Sequence, residues 1–271
     1  MQKNYRYVRG KVVGKRTGFP AVFIKEENMK KLYDKSKLTF SIIWIAAYCV
    51  LMSAGDALSD KLGIVKAVTL PTALLLSAVL LAFIKRNRFT KEYGLCRSEV
   101  PAKNMLFYLP LVIMMGANLF CGLKLNLSAA ETTLYILTML CVGFLEEVIF
   151  RGLLFNAMAE NGIRSAVIVS SITFGMGHII NLFNGSGAEL LPNILQVIYA
   201  AAAGFMFVMI YYKTKSLIPC IVAHGIFNAL SVFADESALT VTQRVISCVF
   251  LLIISGGYGA YIALKVKNKK Q

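Results

Sequence analysis

Gly143-Phe144-Leu145-Glu146-Glu147-Val148-Ile149-Phe150-Arg151-Gly152 sets two adjacent carboxylates and a guanidinium inside an apolar run covering 132–155. A run of about 20 such residues makes a helix long enough to cross a bilayer, and ionisable groups inside a span are costly enough to be functional by default. Glu147 and Arg151 stand four residues apart with the acid first, the favourable order for a pair on one helix face. Glu146 points roughly 100° away and has no cation on its own helix. A packing ion pair therefore accounts for Glu147 and Arg151 and leaves Glu146 unexplained.

Seven more apolar runs flank this one, at 38–54, 62–84, 105–123, 166–183, 190–212, 217–234 and 245–264. None shows the alternating pattern of a membrane barrel strand. The reading is an all-α, polytopic membrane protein with eight transmembrane helices in one bundle. Composition agrees: 57% of the 271 residues are apolar and 16% charged, mean hydropathy is +0.65, and soluble domains average about 25% charged residues. That composition excludes intrinsic disorder, collagen and a disulfide scaffold. Cys49, Cys96, Cys121, Cys141, Cys220 and Cys248 are far apart and form no chelating spacing, so they read as small packing residues. The polar stretch before residue 38 is longer than a signal-peptide n-region, which makes the first run an anchor rather than a cleaved leader.

The net charge of +15 is read as membrane topology, not nucleic-acid binding. Basic residues gather in 1–37, in 85–104, at Arg151 and Arg164, at Lys213 and Lys215, and in 265–271; the alternate connections hold Lys61, Lys66, Lys124 and Arg244. Short cytoplasmic loops are rich in Lys and Arg, so both termini are expected in the cytoplasm of a plasma-membrane protein. The organisation is then a basic N-terminal segment (1–37), a membrane domain (38–264) and a basic tail (265–271). The N-terminal segment reads as a solvated tail with an interfacial helix whose partners are anionic lipid headgroups. Asp56 and Lys66 lie near span ends and can reach the outer interface.

The two histidines of the chain, His178 and His224, both fall inside expected spans. His224 and Asn228 are four apart and share a helix face. Gly175, Gly177 and Gly225 leave little bulk beside the imidazoles, so neighbouring helices or a substrate can approach closely. Carboxylate, imidazoles and carboxamide are the parts of a peptide hydrolase. Glu146, with His178, can take a proton from attacking water while His224 and Asn228 donate to the oxyanion. Glu146, His178 and His224 also match a catalytic zinc ligand set, and sequence does not choose between the two schemes. Neither H-E-x-x-H nor G-x-S-x-G occurs.

Glu146-Glu147-x-x-x-Arg151-Gly152, Phe174-x-x-x-His178 and His224-x-x-x-Asn228 together resemble the motifs of the CAAX protease and bacteriocin-processing family, intramembrane proteases similar to the type II CAAX prenyl endopeptidase. The resemblance covers 132–234. It implies an eight-helix core, endoproteolysis of membrane-anchored protein or peptide substrates that are prenylated or leader-bearing, and catalytic roles for Glu146, Glu147, His178, His224 and Asn228 with Arg151 in support. Members of the family are often called metalloproteases, so zinc is the one cofactor the resemblance brings. Two readings compete: a non-proteolytic self-immunity factor or scaffold that retains the site as packing, and a transporter using Glu146 and His178 as a proton relay.

Overall fold

A computed structural model describes residues 20–184, 188–235 and 239–266. The first half of the basic N-terminal segment and most of the basic tail lie outside the described residues. The helices are α1 (Pro20–Lys35), α2 (Lys37–Leu62), α3 (Thr69–Arg86), α4 (Leu109–Met115), α5 (Ala129–Ala159), α6 (Ile163–Leu182), α7 (Leu190–Thr214), α8 (Ile218–Leu230) and α9 (Val241–Lys265).

Local chemistry sets their limits. Ser36 opens α2 by accepting the Thr39 amide at 3.1 Å, and Gly63 ends it in the left-handed conformation that costs glycine nothing. Ser128 and Glu131 form a capping box at the start of α5, and Thr240 and Gln243 form another for α9. In α5 the stretch Val148–Phe155, immediately after the paired glutamates, is π-helical. Such insertions concentrate at functional sites, because the widened turn re-aims side chains that a regular helix would stack.

Six helices, α2, α3, α5, α6, α7 and α9, are long and apolar enough to cross a membrane. The segments expected as the third and seventh spans are shorter apolar helices, Ala102–Met115 and Ile218–Phe233. The first of these is interrupted: Leu106, Phe107 and Tyr108 are left-handed, and α4 begins afresh with Pro110 in its first turn. Proline inside a helix removes a donor and clashes with the preceding turn, whereas at the start of one it fits.

The polarity of the bundle is that of a protein in lipid. Val50, Leu75 and Ile253 are each more than 60% exposed, whereas Glu147, Arg151 and His224 are buried. Helix α5 is the hub, with α2, α3, α6 and α8 around it, while α7 links α6 to α9. Close approach depends on glycine. A Cβ on Gly143 of α5 would fall 2.6 Å from the Gly225 Cα of α8, and one on Gly175 would fall 2.7 Å from the Val197 carbonyl of α7. Small residues of this kind replace the missing hydrophobic drive between membrane helices.

The two ends of the bundle are built differently. At the end rich in cations, α1 lays Tyr33 against Phe40, Phe83 and Phe89, with centroids 5.0 to 5.6 Å apart. Tyr93 donates to the Tyr33 hydroxyl at 2.7 Å, and Tyr211 donates to the Glu92 carbonyl at 2.6 Å. Burial raises the Tyr33 and Tyr93 phenols above their usual range, so both remain neutral hydrogen-bonding groups. At the opposite end, Asn126 clamps two connections together by donating to the Val232 and Ala234 carbonyls, and Leu123 bridges Ala234.

Candidate functional site

The paired glutamates of α5 sit at the middle of the bundle, and their two oxygen pairs face different surroundings. Glu147 is fully buried; its Oε1 accepts from Arg151 NH1 at 3.0 Å and lies 2.8 Å from His224 Nδ1. Glu146 Oε1 accepts from the Tyr48 hydroxyl of α2 at 2.6 Å, and its Oε2 lies 3.4 Å from His224 Nε2 without hydrogen-bond geometry. One imidazole therefore spans the two acids. With Nδ1–H donated to Glu147, the Nε2 lone pair would face a carboxylate oxygen, an arrangement that repels unless a proton or a donor lies between them.

Aromatic rings hold this cluster. The Arg151 guanidinium lies 4.1 Å from the Phe174 centroid and 5.4 Å from that of Phe207, geometry in which a delocalised cation is attracted to the ring face. Arg151 Nε and NH2 have no hydrogen-bond partner, so these rings and Glu147 constitute its company. His224 stacks on Phe207 at 5.6 Å and meets the edge of Phe174 at 5.6 Å. Phe174, picked out in the sequence by its spacing to His178, turns out to be the ring that both histidines and the arginine share.

His178 occupies the point where α6 tightens into its last, 3-10 turn. Its carbonyl accepts from Asn193 at 2.9 Å, while its ring makes no hydrogen bond. The Asn228 carboxamide of α8 likewise makes none; its backbone carbonyl accepts from Ser231. Both side chains line a cavity of about 410 Å³ that also exposes Glu146 and Tyr48. A smaller niche of about 40 Å³ continues past His178 and Asn228 to His224 and Phe207. The expected residues thus divide into two sets: Glu147, Arg151 and His224 are joined by direct contacts, whereas His178 and Asn228 stand across open space from Glu146.

Among the described residues no group of three or more His, Cys, Asp or Glu side chains is disposed to hold a metal ion. His224 Nδ1 is taken by Glu147, and His178 does not join Glu146 and His224 in one ligand shell. The zinc set read from the sequence therefore does not fit this arrangement, and no chemical step is assigned to it.

Residues 128–230 match a family model described as type II CAAX prenyl endopeptidase Rce1-like. Over that stretch the chain is similar to that family. The match runs from the cap of α5 to the end of α8 and takes in Glu146, Glu147, Arg151, Phe174, His178, Phe207, His224 and Asn228, but not Tyr48. The match supports the resemblance read from the three motifs, and six helices long and apolar enough to cross a membrane are those of an integral membrane protein. No curated protein matched the chain. Tyr48 and Phe207 were not among the residues read from the sequence. Both lie outside the motif signatures, and a tyrosine or phenylalanine in an apolar run reads as packing; the only trace of Tyr48 was a hydroxyl placed mid-span.

Proposed function

We propose that the chain is an intramembrane endopeptidase that hydrolyses peptide bonds of membrane-associated proteins or peptides with a glutamate-activated water. The observation that carries this reading is Glu146: a carboxylate fixed by Tyr48, backed by Glu147, Arg151 and His224, and facing a polar-lined cavity within an apolar bundle. In the proposed reaction Glu146 takes a proton from water as the water oxygen bonds to the scissile carbonyl carbon. The carbonyl oxygen, now an anion, accepts hydrogen bonds from the His178 ring and the Asn228 carboxamide, two cavity donors that make no hydrogen bond among the described residues. The C–N bond then breaks, and the proton held by Glu146 passes to the leaving amine. His224 couples the two acids and keeps the Glu146 oxygen turned toward the cavity. In this scheme His178 takes the oxyanion role that the sequence spacing gave to His224, because both nitrogens of His224 face carboxylates.

The same proposal includes the membrane arrangement. With the two shorter apolar helices filling the third and seventh places, eight segments return the C-terminus to the side of the N-terminus. The bias of Lys and Arg toward that side supports a cytoplasmic location for both termini in the plasma membrane, with the basic segments against anionic headgroups.

The test is reconstitution with a library of membrane-anchored peptides, read by mass spectrometry. Wild type should cleave, and Glu146→Gln should lose about 10² to 10⁴ in rate while unfolding at the wild-type temperature. A chelator should leave cleavage intact. Wild-type turnover by Glu146→Gln would refute the assignment, and loss of activity to the chelator with recovery on adding zinc would replace it with the metal scheme.

A further inference from the structure

The cavity that exposes Glu146 leads in one direction. Along α2 its lining runs from Tyr48 to Asp56, toward the helix C-terminus; along α5 it runs from Phe150 back to Tyr135, toward the N-terminus; and along α6 it continues past His178 to Asn184. Every one of these directions points to the same end of the bundle, the end of the 63–68 and 183–189 connections. Lys66 and Ala188 from those connections complete the mouth. A second cavity of about 470 Å³, lined by Glu189, Pro192 and Arg244, opens at the same end and shares Asn118, Gln196 and Tyr199 with the first. Toward the other end the lining goes no further than Tyr48 on α2 and Phe150 on α5, and that end of the bundle holds the Tyr33–Phe83–Phe89 cluster and the Glu92–Tyr211 bond.

The charges of the two ends differ in sign. The closed end carries Lys85, Arg86, Arg88, Lys91, Lys213 and Lys215 in addition to Lys30, Lys31 and Lys35 of α1 and Lys265 of α9. At the open end the cations are Lys61, Lys66, Lys124 and Arg244, outnumbered by Asp56, Asp60, Glu131, Glu189 and Asp235, and Lys66 is already paired with Asp56 at 2.7 Å. By the rule that ties Lys and Arg to the cytoplasmic side, the mouth faces away from the cytoplasm.

We infer that the scissile bond is presented from the extracytoplasmic side, so the substrate is a peptide segment that lies outside the cell or in the outer leaflet, and a translocation step must precede cleavage of any substrate made in the cytoplasm. The inference rests on the protease reading for its chemistry and on the cavity direction for its side. An extended peptide fits the lining, since Asn118, Gln196 and Asn228 offer carboxamides along the path to Glu146, groups that pair with backbone amides and carbonyls of any sequence. A cytoplasmic C-terminal tail would meet the closed aromatic end instead.

Two arms test this. Right-side-out and inverted membrane vesicles containing the full chain receive the same water-soluble peptide library. Cleavage should be confined to right-side-out vesicles and should appear in inverted ones only after detergent opens them; cleavage by sealed inverted vesicles alone would overturn the inference. The second arm needs no activity. Ser53→Cys and Asn184→Cys in the cavity, and Lys35→Cys at the closed end, are labelled in intact cells with a membrane-impermeant maleimide, and the gain over wild type is counted. Gain at positions 53 and 184 but not 35 supports the inference, and gain at 35 alone overturns it. Absence of cleavage even in detergent would count against the protease reading, and the labelling would still decide which side the cavity faces.

Discussion

The two ends of this bundle are made from similar apolar helices and do opposite things with their polar groups. At the cationic end the buried phenols and Asn156 have partners: Tyr93 on Tyr33, Tyr211 on the Glu92 carbonyl, Asn156 on Tyr211. Toward the other end the His178 ring and the Asn228 carboxamide face a cavity, and Glu146 Oε2 has no hydrogen bond. A membrane protein can satisfy buried polar groups at modest cost, so groups left open at a shared cavity are the ones kept for an exchangeable partner. Stability and reactivity are thus separated along the bundle axis, and within α5 the separation runs between two adjacent glutamates.

Arg151→Ala should give the largest effect after loss of Glu146, and the effect should be on folding. Removing the guanidinium leaves Glu147 buried with only His224 beside it, and breaking a buried pair costs about 3–5 kcal/mol. Unfolding in detergent, followed by temperature, should move down accordingly, with activity falling because less protein is folded. Lys in place of Arg should restore only part, since it cannot lie flat between Phe174 and Phe207. If Arg151→Ala unfolds like wild type yet is inactive, the division between a structural and a reactive glutamate is wrong.

The opposite pattern is expected at the cavity. Asn228→Ala and His178→Ala remove side chains that make no hydrogen bond among the described residues, so the unfolding temperature should nearly hold while kcat falls by about 10² to 10³ each, the usual cost of an oxyanion donor. KM should change less than kcat, because the donors act on charge that develops during the reaction. A kcat that survives either change removes that residue from the oxyanion site.

The legible part of this molecule was whatever a local spacing encodes. Hydropathy found every long helix, and the i, i+4 rule found the Glu147–Arg151 pair and the shared face of His224 and Asn228 before any coordinates. What hydropathy cannot sense is conformation: the left-handed run at Leu106–Tyr108 is as apolar as a helix, so the third segment read as a full span. Nor can spacing along one chain assign a side chain that reaches between helices. His224 was read as a donor beside Asn228, yet α8 approaches α5 so closely at Gly143 and Gly225 that the imidazole lands between the two carboxylates. Tyr48 lies 98 positions from its partner in sequence, and only the packing of α2 on α5 joins them.

Tyr48 and Tyr33 give the finest version of the comparison, because each is a buried phenol that donates a hydrogen bond, one to the reactive carboxylate and one to Glu92 at the closed end. Tyr48→Phe deletes a single oxygen. A hydrogen bond to a charged group contributes about 1.5–3 kcal/mol, so the loss should appear as a drop in kcat of roughly ten- to a hundredfold. The sign follows from the bond itself: the hydroxyl fixes the carboxylate that takes the proton from water, and without it Glu146 is less well placed to act as the base. Tyr33→Phe deletes the same oxygen from the Tyr93–Tyr33–Glu92 network, where the bond to the Glu92 carboxylate is long at 3.3 Å, costs about 0.5–1.5 kcal/mol of stability and should leave kcat unchanged. A lowered kcat in Tyr33→Phe would mean that the ends are coupled through α2, and an unchanged kcat in Tyr48→Phe would mean that the hydroxyl on Glu146 is packing rather than part of the reactive site.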